Sequence, residues 1–216
     1  MLYDLSPRLG PDTPVWPGDT PFSSKLTWSM AEGSPVNVSA LTTTPHLGSH
    51  ADAPFHTEAR GETIGELSLD PFLGPCRVVQ VPPAPQIELR HVIGKLEAGK
   101  PDTQEHSPLS PPRLLLRTGS VENRKTFPER FSTLAPELAA WLAENGCLLI
   151  GLDTPSVDPL ESKTLDAHHH LLGKGVAILE GLVLDGVPEG TYDLIALPLK
   201  MAGLDASPVR AVLRTL

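Results

Sequence analysis

The sequence is short of cysteine, of positive charge and of long apolar runs, and each shortage removes a class of function. The two cysteines, Cys76 and Cys147, stand far apart and form no CxxC pair. Neither a disulfide framework nor a thiolate zinc site is therefore encoded, and each reads as a small core residue. Lysine and arginine number 17 against 26 aspartates and glutamates, leaving a net charge of −9. Such a surface argues against nucleic acid or an anionic membrane face as the partner. No apolar stretch approaches the roughly 18 to 20 residues that cross a bilayer. The amino terminus has no basic segment leading into an apolar run, so the expected compartment is the cytoplasm. Repeats of fixed period and biased tracts are missing too. So is any G-x-S-x-G, which removes the serine hydrolases that use a nucleophile elbow.

Proline, by contrast, is plentiful at 24 of 216 residues. It gathers at 6–21 and 82–112, where long ordered loops are expected inside a single domain spanning 1–216. Apolar runs rich in β-branched residues predict strands at 36–43, 77–81, 113–118, 147–152, 176–184, 192–198 and 209–213. The clearest helix is 136–145. Pro136 suits its first turn, Glu137 favours its dipole, Leu138, Trp141 and Leu142 share one face, and Gly146 can cap its end. A weaker helix is expected over 88–96. The fold class is α/β with a mixed sheet, and 113–152 can form a strand–helix–strand crossover.

The chemistry concentrates in residues 46–56, where His46, His50, Asp52 and His56 all fall on even numbers. In an extended chain of period two these side chains start on one face. A helix would split them and would be interrupted by Pro54. A straight strand would spread the ten steps over roughly 33 Å, so the segment must bend, most cheaply at Gly48 and Pro54. Imidazoles around a carboxylate suit zinc and related divalent ions. If two metals are present, one short segment cannot supply every ligand and a base, and a distant contribution is expected. Candidates are His168, His169 and His170, among which spacing does not choose, and Glu180, a carboxylate set in the otherwise apolar run 176–184 that needs a partner if buried.

The string His46-x-Gly48-Ser49-His50-x-Asp52-x-Pro54-x-His56 resembles the HxGTHxDxPxH motif of the metal-dependent cyclase-like hydrolases, with Ser49 in place of threonine. Within that family the chain closely resembles the bacterial kynurenine formamidases, or arylformamidases. The likeness continues in Thr13-Pro-Val-Trp16-Pro-Gly-Asp-Thr-Pro21, Gly151-Leu-Asp-Thr-Pro-Ser156, Asp166-Ala-His168, Ile178-Leu-Glu-Gly181 and Leu197-Pro-Leu-Lys200. It covers most of the chain, but 98–112 match no motif. The resemblance implies a mixed sheet or open barrel-like core flanked by helices, of the swivelling β/β/α type. It also implies two zinc ions per subunit, with other divalent ions able to substitute. One zinc would be held by His46, His50, Asp52 and Glu180, the second by Asp52, His168 and Glu180. It further implies His56 as general acid/base, Trp16 as a substrate-lining residue, a homodimer, and hydrolysis of N-formylkynurenine to kynurenine and formate. His169 and His170 receive no role. Phe55 is expected either to stack on the substrate or to pack in the core, and Asp4, Asp19 and Asp153 to organise turns.

Three alternatives accompany this reading. Another small or cyclic amide could be the substrate at the same ligands. A non-haem iron oxygenase could use His50, Asp52 and His168 as a facial triad. Against it, His46 and Glu180 would be surplus, and no arginine lies between Arg130 and Arg210 to bind a keto-acid co-substrate. A metal that merely staples loops would leave His56 without a purpose.

Overall fold

A computed structural model describes residues 1–97 and 109–216. The middle of the second proline-rich loop, with Pro101 and Pro108, lies outside the described residues. In chain order the elements are β1 (Leu2–Asp4), β2 (Ser23–Trp28), β3 (Val38–Thr42), β4 (His50–Asp52), β5 (Leu73–Gln80), β6 (Gln86–Ile87), α1 (Leu89–Glu97), β7 (Arg113–Arg117), β8 (Thr133–Leu134) and α2 (Pro136–Glu144). Then follow β9 (Leu149–Leu152), α3 (Asp166–Leu172), β10 (Ala177–Glu180), β11 (Gly190–Ile195), β12 (Ala206–Pro208) and β13 (Val212–Thr215).

Nine strands form one curled, open sheet in the order β1-β13-β11-β5-β7-β9-β10-β4-β12. Its centre, β5-β7-β9-β10, is parallel, and every other pairing is antiparallel. This is the mixed α/β architecture the sequence predicts. Parallel strands are covered on both faces, so they read as continuous apolar runs. Leu114 and Leu116 of β7 accordingly pack with Val92 of α1, Leu138 and Leu142 of α2 and Leu171 of α3. Leu115 between them joins Cys76, Val78, Leu179 and Leu213 on the opposite face. Helix α2 begins at Pro136 and ends before Asn145, and Gly146 takes φ +82°, so its start and stop signals act as expected.

Parallel strands β7 and β9 are neighbours joined through α2, as the crossover requires. Ligand clefts of such sheets open beyond the carboxyl ends of parallel strands. Here those ends carry the loop 118–132 after β7, Asp153–Ser156 after β9 and Glu180 at the end of β10. Strand β2 lies outside the predicted elements: all six of its residues are exposed, and Leu26 and Trp28 are the whole of its apolar alternation, too short to mark a strand.

Candidate metal centre

Strand β4 supplies the first half of the site. His50 and Asp52 point to one side while Ala51 enters the core, the period-two arrangement expected of an extended segment. The predicted bends are present. Gly48 adopts φ +65°, and Pro54–His56 form a 3-10 turn, which brings His46 and His56 back toward the strand. Strand β10 supplies the second half. Its register sets Glu180 directly opposite His50. His168 comes from α3, and the side chain is buried, whereas His169 and His170 are exposed.

Four of these side chains, His46, His50, His168 and Glu180, gather around Asp52. His46 Nδ1 lies 3.2 Å from Asp52 Oδ1, His50 Nε2 3.6 Å from the same oxygen, and His168 Nε2 3.7 Å from Oδ2. Glu180 closes the ring, with Oε2 3.3 Å from His50 Nε2 and Oε1 3.4 Å from His168 Nε2. Each imidazole is oriented through its other nitrogen. His50 Nδ1 pairs with the Gly48 carbonyl at 2.9 Å, His168 Nδ1 with Asp158 at 2.7 Å and His46 Nε2 with Asp205 at 2.9 Å. Asp205 also meets His56 Nδ1 at 3.1 Å.

The centre opens into a cavity of about 1310 Å³ whose wall includes Trp16, His46, His50, His56, His168 and Glu180. Trp16 stands edge-on to Phe127, their ring centroids 5.3 Å apart. Phe55 meets neither of its expected uses. It sits on the 3-10 turn, 38% exposed, and is absent from the cavity wall.

Residues 3–159 match the model of the Cyclase family, described as "Putative cyclase". The chain belongs to this family. Among solved structures, this cyclase-family chain is similar to a "potential metal-dependent hydrolase with cyclase activity", at 28% identity over 99% of this chain and 96% of that one, with a TM-score of 0.79. It is also similar to a "predicted metal-dependent hydrolase" from Bacillus stearothermophilus, at 26% identity over 99% and 97%, TM-score 0.78. An isatin hydrolase bound to the product analogue thioisatinate shares the fold at 19% identity over 98% and 91%, TM-score 0.81.

The cyclase-family site fits a divalent cation on its own chemistry. Both Asp52 carboxylate oxygens are buried without a hydrogen-bond partner. Neutral imidazoles would turn bare nitrogen lone pairs at those bare oxygens, an arrangement that needs a cation or protons between them. Without metal, protons take the place. Burial disfavours a charged His46, yet Asp205 and Asp52 outweigh it and raise its pKa to about 10. Burial likewise opposes charge on His168, and Asp158, Asp52 and Glu180 hold its pKa well above the ordinary value. Burial would raise Asp52, but His50, His168 and His46 hold it well below the usual carboxylate range.

Because ligation needs a free nitrogen lone pair, loading metal at pH 8 should expel at least one proton, and apparent affinity should climb as pH rises toward about 10. Calorimetric titration of zinc into metal-free protein, in buffers of different ionisation enthalpy, measures this. An identical heat in every buffer would contradict it.

Sequence reasoning missed Asp158 and Asp205. Asp158 accepts from the Ala167 and His168 amides as well as from the ring, so it starts α3 and orients the His168 imidazole together. Asp205 is 149 residues from His56 and 159 from His46 in the chain. No local pattern could connect them. The cysteines are inert, as their burial requires: desolvation pushes both thiols up to about 12.

Proposed function

We propose that the chain is a metal-dependent amide hydrolase of the cytoplasm that converts N-formyl-L-kynurenine to L-kynurenine and formate, using two zinc ions. The observation that carries the hydrolase reading is the pair of unpartnered, buried Asp52 oxygens ringed by three oriented imidazoles at the floor of an open cavity. His46, His50, Asp52 and Glu180 would hold one ion, and Asp52, His168 and Glu180 the other. When bound, such ions polarise an acyl carbonyl and make water nucleophilic near neutral pH. Five convergent ligands exceed what a three-residue iron triad uses, which favours hydrolysis over oxygenation.

The remaining work falls to the chain. Trp16 and Phe127 offer an aromatic wall on which an aryl ring can rest, a gain on the order of 1 kcal/mol beyond burial. His56, held through Nδ1 by Asp205, keeps Nε2 for the proton that the departing aryl nitrogen must receive as its bond to the formyl carbon breaks. His56→Ala should therefore retain metal and fold while kcat falls about 10²- to 10⁴-fold. Metal analysis and formate release from N-formylkynurenine, with and without chelator, test the whole reading. A metal-replete protein that releases no formate would overturn it. Isatin belongs in the same assay, because the fold is shared with an isatin hydrolase and the ligand set serves a cyclic amide equally well.

A homodimer completes the proposal. The β2–β3 hairpin exposes Leu26, Trp28, Met30, Val36, Val38 and Leu41, and an isolated two-stranded ribbon is marginal in water. Leu26→Asp with Trp28→Glu should convert a dimer to a monomer by light scattering. A wild-type monomer would remove this part of the proposal.

A further inference from the structure

The protein as a whole is strongly acidic, yet the outer wall of its cavity is not. Arg8, Arg124, Lys125 and Lys163, four of the 17 basic residues, line it against Asp12 and Asp19. The other acids on the wall are already engaged: Asp153 accepts from the Thr118 and Gly119 amides, and Glu180 and Asp205 face imidazoles. An anion entering the cavity therefore meets four cationic side chains above the residues that would hold metal.

One of these cations is built in. Arg8, Lys125 and Lys163 are exposed, whereas Arg124 keeps a quarter of its side chain accessible. Its Nη1 donates to the Asp153 carbonyl at 3.3 Å. The next residue, Thr154, accepts the Gly181 amide, so the guanidinium is tied to the strand ends that present Glu180. Its Nε is buried without a hydrogen bond, 3.5 Å from Asp185, a carboxylate 65% exposed. Such a surface pair is a weak competitor for a guanidinium. Among the described residues Nη2 makes no hydrogen bond. Phe127, the partner of Trp16, stands three residues further along the same loop. A single loop thus brings an aromatic edge and an under-used guanidinium to one cavity.

We propose that Arg124 is a specificity-determining residue that receives a carboxylate of the substrate, so that the site selects aromatic amides that also carry a carboxylate. The proposal rests on the amide-hydrolase reading and narrows it to anionic substrates. Guanidinium is suited to the task, because its planar fork matches a carboxylate and a tethered fork loses little freedom on binding.

The test compares N-formylkynurenine with its carboxamide, the same ring and formamide without the negative charge. The metal-loaded wild type should favour the acid by about 10- to 100-fold, chiefly in KM, the range of a charge-assisted hydrogen-bond pair. Arg124→Gln should shrink that ratio to under about threefold, and Arg124→Lys should restore part of it. An equal kcat/KM for both compounds in the wild type, or a preference that survives Arg124→Gln, would overturn the proposal. Binding of kynurenine and its carboxamide to the same proteins separates this from the parent reading. If neither compound is hydrolysed but the acid binds more tightly only when Arg124 is present, the hydrolase reading fails and the carboxylate site stands. Equal binding of both by the wild type sinks the site itself.

Discussion

Asp52→Asn should abolish retention of metal and lower kcat/KM by at least about 10³-fold. The reason is geometric. Among the described residues Asp52 is the one carboxylate that faces all three of the imidazoles proposed as ligands, with His46 and His50 at one oxygen and His168 at the other. Asparagine keeps the volume but removes the charge, and it turns a donor toward at least one ring nitrogen. Stability gives an independent readout. A cation present at about a thousand times its Kd stabilises a protein by about 4 kcal/mol. For a chain of this length that is on the order of 10 °C in Tm. The wild type should lose about that much on chelation, whereas the Asp52→Asn protein should melt at one temperature with or without chelator.

Charge adds a second consequence. In the metal-free wild type the Asp52 carboxyl is held well below its ordinary value against the opposing effect of burial. Its contribution is therefore present at neutral pH and is lost as pH falls through the depressed folded pKa. Asp52→Asn should flatten that acid limb. A variant that still binds zinc with wild-type affinity would refute the central place given to Asp52.

How much of this was legible in the chain depends on the distance over which each signal acts. The even spacing of His46, His50, Asp52 and His56, with bend residues at Gly48 and Pro54, is local, and the structure bends at those two places. The parallel core strands are legible because burial on both faces writes unbroken apolar runs. Helix α2 is legible because its start and stop signals lie within the eleven residues 136–146. Helix α3 is not: its cap is Asp158, eight residues before its first residue, so its start signal is not local. Strand β12 is three residues long and its register partner is β4, more than 150 residues earlier. Glu180 drew notice because a carboxylate interrupted an apolar strand. Asp205 drew none because it sits in a turn, where an aspartate is ordinary, and its role exists only through His46 and His56. Arg124 was equally silent, since the structure alone ties it to Asp153.

Gly181→Ala should be the most destabilising conservative substitution, by about 3 kcal/mol, and should weaken metal binding about 10- to 100-fold although position 181 holds no ligand. Gly181 follows Glu180 directly and adopts φ +65°, a conformation that costs an L-residue about 1–2 kcal/mol. The larger effect is steric. An added Cβ would lie 2.3 Å from the Gly48 carbonyl oxygen and 2.9 Å from its carbon, backbone atoms that no side-chain rotation can move aside. Gly48 O is also the acceptor that orients His50 through Nδ1, and Ser49 Oγ donates to the Gly181 carbonyl at 2.9 Å. Pushing the two turns apart would therefore pull His50 away from Glu180, its neighbour across the sheet. Gly186→Ala is the control. Its φ of +73° is similar, but nothing lies within 4 Å of the added carbon, so it should cost only the backbone preference and leave metal affinity intact. Chemical denaturation and zinc titration of the two variants separate the effects. Equal losses of stability and unchanged zinc affinity in both would show that the Gly48–Gly181 contact does not set the spacing of the centre.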